Sequence, residues 1–177
     1  MGQMVVPHPK VKRIEQRTTS TCWLAASKML YVWKGKDPNQ VDTLLQKESE
    51  TNGRVDYDFW CDSGIGHADA VPLAKTLGFT WGAGGKLDLD RIVDAVRSWG
   101  PMIAIGQWNN PRGAHVIVVA EVEDERDEDR QSVAKIMIAN PWFYSDEREQ
   151  RTLNWFNGGL GDWEGVNGQY MHWGGKH

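Results

Sequence analysis

The hydrophobic pattern of the chain changes from a helical period to strand-like runs near its middle. In the first part, apolar residues recur every three or four positions, which predicts amphipathic helices. Capping residues, prolines and glycines mark their ends, and the helices are predicted over residues 20–34, 37–45, 68–77 and 88–99. The polar, glycine-bearing segment 49–66 is predicted to be a loop, and residues 1–15 an extended lead-in with one short edge strand.

Apolar, β-branched runs dominate the second part and predict antiparallel strands over residues 102–105, 115–122 and 133–139. A highly charged stretch, residues 121–130, separates the last two and is typical of a solvated hairpin turn. The glycine- and tryptophan-rich segment 153–177 is expected to form short strands and turns. Because helices precede strands without a βαβ alternation, the fold class is predicted to be α+β.

The composition fits one soluble globular domain spanning residues 1–177. The 177 residues are 40% hydrophobic and 25% charged, and a chain of this length buries about 70% of its unfolded surface around a single core. Within this domain we expect a helical half, residues 16–100, and a β half, residues 101–177. The net charge of −4 argues against nucleic acid as a partner, since phosphate binding needs a basic surface.

Neither a membrane span nor a secretory signal is predicted. No apolar run approaches the roughly 18 residues that a span requires. The first residues also lack the basic and long apolar regions of a signal peptide. We therefore expect a protein made in the cytosol, or one exported by a route that leaves no cleavable signal.

Cys22 is the strongest candidate nucleophile. It lies at the predicted start of the first helix, where backbone N–H groups and the positive end of the helix dipole lower a thiol pKa. Most unpaired cysteines are small buried hydrophobic residues, so position alone leaves both interpretations open. The second cysteine, Cys61, is followed by His67 without a further Cys/His pair at zinc spacing, and no metal site or cofactor is predicted.

Three further residues supply what thiol catalysis requires. His115 opens a predicted strand and can serve as a base beside the thiol. Asn140 ends the strand expected to pair with it, which would bring its amide carbonyl to the imidazole. Gln16 precedes Cys22 by six positions, and its side chain could join the Cys22 backbone N–H in donating to an oxyanion. Each of these residues alone also fits a structural role.

Taken together, these residues resemble the papain-like cysteine peptidases, nearest the compact bacterial branch that includes avirulence peptidases injected into plant cells. The resemblance is carried by Gln16, Cys22-Trp23, His115 and Asn140-Pro141-Trp142. It implies a nucleophile on a central helix that packs against a C-terminal antiparallel sheet. It also implies that Cys22 is the nucleophile, His115 the base, Asn140 the orienting residue and Gln16 the oxyanion donor. Asn140 stands where this branch often has Asp.

The resemblance further implies an endopeptidase that acts on protein or peptide substrates without a cofactor. It suggests an effector or toxin domain made in the bacterial cytoplasm and secreted or delivered into a target cell without a cleavable signal peptide. A cognate immunity or inhibitor protein is then a candidate partner. Side chains near the motifs are expected to line the substrate cleft, namely Trp23, Trp108, Asn109 and Trp142. The last of these is also expected to shield the His115–Asn140 hydrogen bond from water.

Two other classes of function remain open. The same thiol chemistry serves peptidoglycan amidases, protein glutamine deamidases and acyltransferases, because the sequence does not identify the group that resolves the acyl-enzyme. A non-catalytic binding module could also retain this fold.

Overall fold

The computed structural model describes residues 3–83, 85–108, 114–124, 134–161 and 168–174. The helices are α1 (Cys22–Trp33), α2 (Asn39–Asn52), α3 (Tyr57–Ser63), α4 (Ala70–Leu77, preceded by the 3₁₀ turn His67–Asp69), α5 (Leu89–Trp99) and α6 (Leu153–Gly161). The strands are β1 (Gln3–Val5), β2 (Phe79–Ala83), β3 (Met102–Gly106), β4 (His115–Asp124), β5 (Lys135–Ala139), β6 (Glu149–Thr152) and β7 (Gln169–Trp173). None of the helices in these ranges is long and apolar enough to cross a membrane.

The helices are arranged around one antiparallel sheet. Its strands follow the order β2-β7-β3-β4-β5-β6, and β1 pairs with the far end of β4. Along the β3–β4 pair, Gly106 lies opposite His115, and on the other side of β4, Val118 lies opposite Ala139. Since the paired strands run in opposite directions, the start of β4 and the end of β5 meet at the same end of the sheet.

Helices cover both faces of this sheet. Val116 and Val118 on β4 belong to a core formed with α1, α2 and α4, whereas Ile117 and Val119 belong to a core formed with α5 and α6. Successive side chains of a strand point to opposite faces, so a strand buried on both sides has a continuous apolar sequence. The central strands were predictable for this reason.

α1 is the central helix of its layer. Most of its 12 residues are buried, and Trp23, Ala26, Met29 and Leu30 have no exposed surface. A helix buried nearly all round is held by packing on several sides rather than by one apolar stripe. The predicted α+β fold, with a central helix packed against an antiparallel sheet, is confirmed.

The segment 49–66, predicted to be a loop, is mostly helical. α2 continues to Asn52, and α3 begins after Asp56, whose carboxylate accepts a hydrogen bond from the Phe59 N–H. This N-cap satisfies a backbone donor at the start of the helix, and Trp60 is buried beneath it. The polar composition of the segment reflects its solvent-facing side rather than an absence of structure.

The sequence also fails to predict β2, and α6 lies where short strands were expected from residue 153 on, whereas β7 is a strand of that segment as expected. α6 buries Leu153, Phe156 and Leu160, a helical spacing that its glycines obscure. β2 pairs with β7, with Phe79 opposite Trp173. The helical half therefore contributes a strand, and the β half a helix. Residues 125–130 of the predicted charged turn lie outside the described residues.

Gly100 connects α5 to β3 and supports a testable prediction. It has a φ of +80°, and an added Cβ would overlap the ring of Trp33. We predict that Gly100→Ala lowers the free energy of unfolding by about 2–4 kcal/mol, from backbone strain and ring displacement. Gly53→Ala is the matched control, because Gly53 has φ +61° and no atom within 4 Å of the added Cβ. Urea unfolding measures both variants, and equal losses would contradict the prediction.

Candidate active site

The first residue of α1 and the beginning of β4 meet at the thiol of Cys22. Cys22 is 8% exposed. The backbone N–H groups of Val116, Trp23 and Cys22 itself lie near enough to its sulfur to act on the pKa of the thiol. Cys22 and Val116 belong to the same core cluster, which forms where α1 packs on β4. Because Val116 follows His115, this packing brings the start of α1 to the end of the strand that His115 opens.

His115 is the first residue of β4 and is 6% exposed. Its Nε2 lies 2.8 Å from Oδ1 of Asn140. A carboxamide oxygen only accepts hydrogen bonds, so Nε2 carries the hydrogen of the neutral ring and Nδ1 is its basic nitrogen. The ring of Trp142 stands edge-on to the imidazole, with centroids 5.8 Å apart. Trp142 is also 39% exposed, so it contacts both the imidazole and solvent.

Three hydrogen bonds hold the side-chain amide of Asn140. Oδ1 accepts from His115 and, at 3.0 Å, from the backbone N–H of Trp142, while Nδ2 donates to Oε1 of Glu149 at 3.1 Å. Glu149 begins β6 and forms an ion pair with Arg151. Sequence reasoning missed Glu149 because it lies in a charged segment without a motif. Its one usable signal is its place on the strand paired with β5.

The lead-in segment holds the loop that follows Asn140. Arg13 Nε donates to the carbonyl oxygen of Asn140 at 2.7 Å, and the Gln16 N–H donates to that of Pro141 at 2.9 Å. A terminal guanidinium nitrogen of Arg13 donates to the carbonyl oxygen of Trp142. Three successive carbonyl groups are therefore fixed by the segment that leads to the nucleophile.

Gln16 is 2% exposed, so its side chain is enclosed beside the start of α1. Nε2 donates to the carbonyl oxygen of Thr18 at 2.7 Å. Oε1 has no hydrogen-bond partner within the described part of the chain. An amide nitrogen carries two hydrogens, so the bond to Thr18 uses one of them.

Burial dominates the protonation of both central groups. It raises the pKa of the Cys22 thiol to about 11, against the lowering effect of the neighbouring backbone N–H groups. The N–H groups at the helix start do act to lower this pKa, as expected, but burial outweighs them and the net shift is upward. Burial also lowers the pKa of His115, whereas the Asn140 hydrogen bond and the Glu149 charge raise it. Both shifts favour the uncharged forms, the thiol of Cys22 and the neutral imidazole of His115.

Two residues expected to line the substrate cleft are core residues instead. Trp23 has no exposed surface and packs edge-on against Trp60. Trp108 is 5% exposed and stacks on Trp155, within the core on the other face of the sheet. Large aromatic rings fill such cores with high packing density, and neither ring offers surface to a substrate. Asn109 lies outside the described residues.

Cys61 is a free thiol like Cys22, but its surroundings differ. It lies on α3 and is partly exposed. Burial raises its pKa, and a hydrogen bond with Tyr57 opposes that shift. In the described ranges, no group of three or more His, Cys, Asp and Glu side chains is placed to hold a metal ion.

A central helix on an antiparallel sheet, with a thiol, an imidazole and an amide where α1, β4 and β5 meet, defines a papain-like cysteine peptidase. The family described as papain-like cysteine protease AvrRpt2 matches residues 6–160. The chain belongs to this family and is a thiol peptidase. A comparison with curated proteins gave no match.

Solved structures share the fold. The chain is similar to a C39-like peptidase from Bacillus anthracis, with a TM-score of 0.59 and 12% identity over 99% of this chain and 100% of that one. The peptidase domain of Streptococcus ComA, a bifunctional ABC transporter, gives a TM-score of 0.54 and 19% identity over 92% and 98% of the two chains. A structure from a study of antibody cross-reactivity between the mite allergens Blo t 1 and Der p 1 gives a TM-score of 0.54 and 10% identity, over 92% of this chain and 66% of that one.

The pKa of the Cys22 thiol can be tested by alkylation. A pKa of about 11 describes the buried thiol beside a neutral ring. We predict that in His115→Gln, which cannot take the thiol proton, the rate of Cys22 alkylation by iodoacetamide rises about tenfold per pH unit from pH 7 to 10. Mass spectrometry of the Cys22 peptide measures this rate in a Cys61→Ala background. A plateau already reached at pH 9 would contradict the prediction.

Proposed function

We propose that the chain is an endopeptidase that cleaves peptide bonds through a thioester on Cys22. In this proposal His115 is the base, Asn140 orients it and Gln16 donates to the oxyanion. The observation that carries the proposal is the 2.8 Å contact between His115 Nε2 and Asn140 Oδ1. It leaves Nδ1 as the basic nitrogen of the ring, and the residue after His115, Val116, lies in the same core cluster as Cys22.

The first half of the reaction forms the thioester. As the sulfur of Cys22 attacks the scissile carbonyl carbon, its proton passes to Nδ1 of His115. The tetrahedral intermediate collapses, the C–N bond breaks, and the imidazolium gives its proton to the leaving amine. Because thiol and imidazole begin neutral, charge separates only during attack, and the Oδ1 of Asn140 then accepts a hydrogen bond from a charged ring.

The second half restores the thiol. A water molecule gives a proton to Nδ1 of His115 and attacks the thioester carbonyl. The C–S bond then breaks, the carboxylic acid product leaves, and the proton returns from the imidazolium to the sulfur of Cys22. The enzyme thus ends each cycle in the protonation state in which it began.

The oxyanion of both tetrahedral intermediates needs two hydrogen-bond donors. The backbone N–H of Cys22 is one, because the first N–H groups of a helix have no partner within it. The second amide hydrogen of Gln16 is the other, since only one is used by Thr18. Burial of Gln16 supports this role, because a donor in a water-poor site stabilises the developing charge more strongly.

Replacement of the two thiols separates catalysis from folding. We predict that Cys22→Ala abolishes cleavage of a fluorescent casein while the melting temperature changes little, because alanine fills most of a small buried site. Cys61→Ala, the matched control, is expected to keep activity within about twofold, since its thiol lies on α3 outside the proposed site. Full activity in Cys22→Ala would exclude the proposal.

Gln16 is expected to act on the transition state rather than on substrate binding. We predict that Gln16→Ala lowers kcat by about 10²- to 10³-fold with little change in KM, the loss typical of a missing oxyanion donor. Gln16→Glu retains the shape but has no donor when ionised, so it should fail to restore kcat. Steady-state kinetics on a peptide identified from the casein digest measure both. A change confined to KM would argue against the oxyanion role.

The other uses of the same chemistry predict different products. A peptidoglycan amidase would release stem peptides from muropeptides, and a glutamine deamidase would raise the mass of a protein substrate by about one dalton without cutting it. Mass spectrometry of both substrates, each incubated with the wild type and with Cys22→Ala, separates these activities from peptide-bond cleavage. If neither muropeptides, nor the protein substrate, nor casein yields a product, a non-catalytic binding module is favoured.

The role of a delivered effector is supported by the family to which the chain belongs and not by the geometry of the site. We infer that the substrates are proteins of a target cell into which the chain is delivered, and that an immunity or inhibitor protein is a candidate partner. Labelling of new N-termini in a plant-cell extract, treated with the wild type or with Cys22→Ala, tests the first inference. It predicts a few discrete cleavage sites rather than general digestion.

A further inference from the structure

Glu149 lies behind Asn140 and takes no direct part in the proposed reaction. We propose that Glu149 is a positioning residue, whose carboxylate fixes the orientation of the Asn140 amide and, through that amide, favours the protonated form of His115. The inference rests on the proposed function, because it concerns the same base.

The hydrogen bonds around Asn140 distinguish the two ends of its amide. Oδ1 lies against two donors, Nε2 of His115 and the backbone N–H of Trp142, at 2.8 and 3.0 Å. Nδ2 lies 3.1 Å from Oε1 of Glu149, which only accepts when ionised. Rotation of the amide by half a turn would place two donors face to face at His115 and two acceptors face to face at Glu149. The carboxylate thus favours the orientation in which Oδ1 of Asn140 faces the imidazole.

Glu149 is itself held firmly in this position. In the β5–β6 pair it lies opposite Ile138, two residues before Asn140. Its side chain is 10% exposed, and its second oxygen pairs with Arg151 on the same strand. The Arg151 guanidinium in turn lies 5.1 Å from the ring centre of Trp155. A carboxylate anchored at both oxygens can orient its neighbour without losing further side-chain entropy.

The charge of Glu149 acts on His115 in the direction that catalysis requires. Burial disfavours the imidazolium, and the negative charge of Glu149 opposes this effect. The neighbouring charges on other segments are paired: Arg13 in the lead-in with Glu15, and Arg148, which precedes Glu149, with Glu121 on β4. Arg151 on β6 pairs with Glu149 itself. Glu149 is the carboxylate whose charge raises the pKa of His115, and it would stabilise the ring when it accepts the thiol proton.

The pKa of His115 distinguishes this role from a structural one. Glu149→Gln retains the shape and an acceptor oxygen but removes the charge, and we expect the His115 pKa to fall below its wild-type value. If Glu149 only maintained packing, the variant would loosen the site, expose the imidazole and raise its pKa toward the ordinary 6.5. NMR titration of the ring resonances measures the shift. Glu147→Gln, which removes an exposed charge from the same segment, is the matched control, and we expect it to leave the His115 pKa unchanged.

Activity should follow the pKa. We expect Glu149→Gln to lower kcat/KM about 10-fold and Glu149→Ala about 10- to 100-fold, the size of effect of a lost hydrogen bond to a charged group. The KM should change little. A His115 pKa that is unchanged or raised in folded Glu149→Gln, or an unchanged kcat/KM, would overturn the inference.

A double variant moves the charge instead of deleting it. Asn140→Asp alone places two carboxylates in hydrogen-bond contact, which forces them to share a proton and should lower kcat/KM. In N140D/E149Q the amide and the carboxylate exchange places, and Nε2 of the glutamine can donate to the new aspartate. We expect kcat/KM to recover to within about threefold of the wild type. If the folded double variant has a kcat/KM no higher than that of Asn140→Asp, the inference is contradicted. This test remains valid even if Glu149→Gln alone does not fold.

The outcomes for the two proposals are separable. Absence of Cys22-dependent cleavage in the wild type counts against the proposed function, while the NMR titration still reports whether Glu149 sets the His115 pKa. Normal wild-type cleavage with an unaltered His115 pKa in Glu149→Gln rejects the positioning role alone.

Discussion

The packing of α1 across β4 is the constraint on which the site depends. It buries Trp23 and most of the helix, and it places the first residue, Cys22, near the end of the sheet where β4 begins. There the thiol is withdrawn from water, and this burial raises its pKa although the nearby N–H of Val116 acts to lower it. The same burial lowers the pKa of His115. Burial therefore favours a neutral thiol and a neutral imidazole in the resting site.

Antiparallel pairing brings the remaining groups to this point. The beginning of β4, the end of β5 and the beginning of β6 lie together, which places His115, Asn140 and Glu149 in one hydrogen-bonded line. The lead-in completes the arrangement from outside the sheet, because Arg13 and Gln16 hold the loop after Asn140. Rigid strand ends, more than flexible loops, thus define the geometry of the acid–base groups.

The periodicity of apolar residues and the residues that mark helix ends made part of the fold and of the site predictable from the sequence. The first helix, its terminal cysteine and the apolar strands could be recognised because burial on two faces leaves a continuous apolar sequence. Contacts between distant segments could not. Glu149 acquires a role only through β5–β6 pairing, and Trp108 turned out to face the core on the far side of the sheet. The direction of the Cys22 pKa shift also depended on tertiary burial, which a local helix-dipole argument omits.

The central claim is that Cys22, His115 and Gln16 act on one carbonyl group. A crystal structure of the protein treated with a peptide aldehyde tests it directly, because the hemithioacetal imitates the tetrahedral intermediate. The account predicts a covalent bond to the Cys22 sulfur, with the former aldehyde oxygen about 3 Å from both Gln16 Nε2 and the Cys22 backbone nitrogen. An adduct on Cys61, or an oxygen turned away from Gln16, would contradict it.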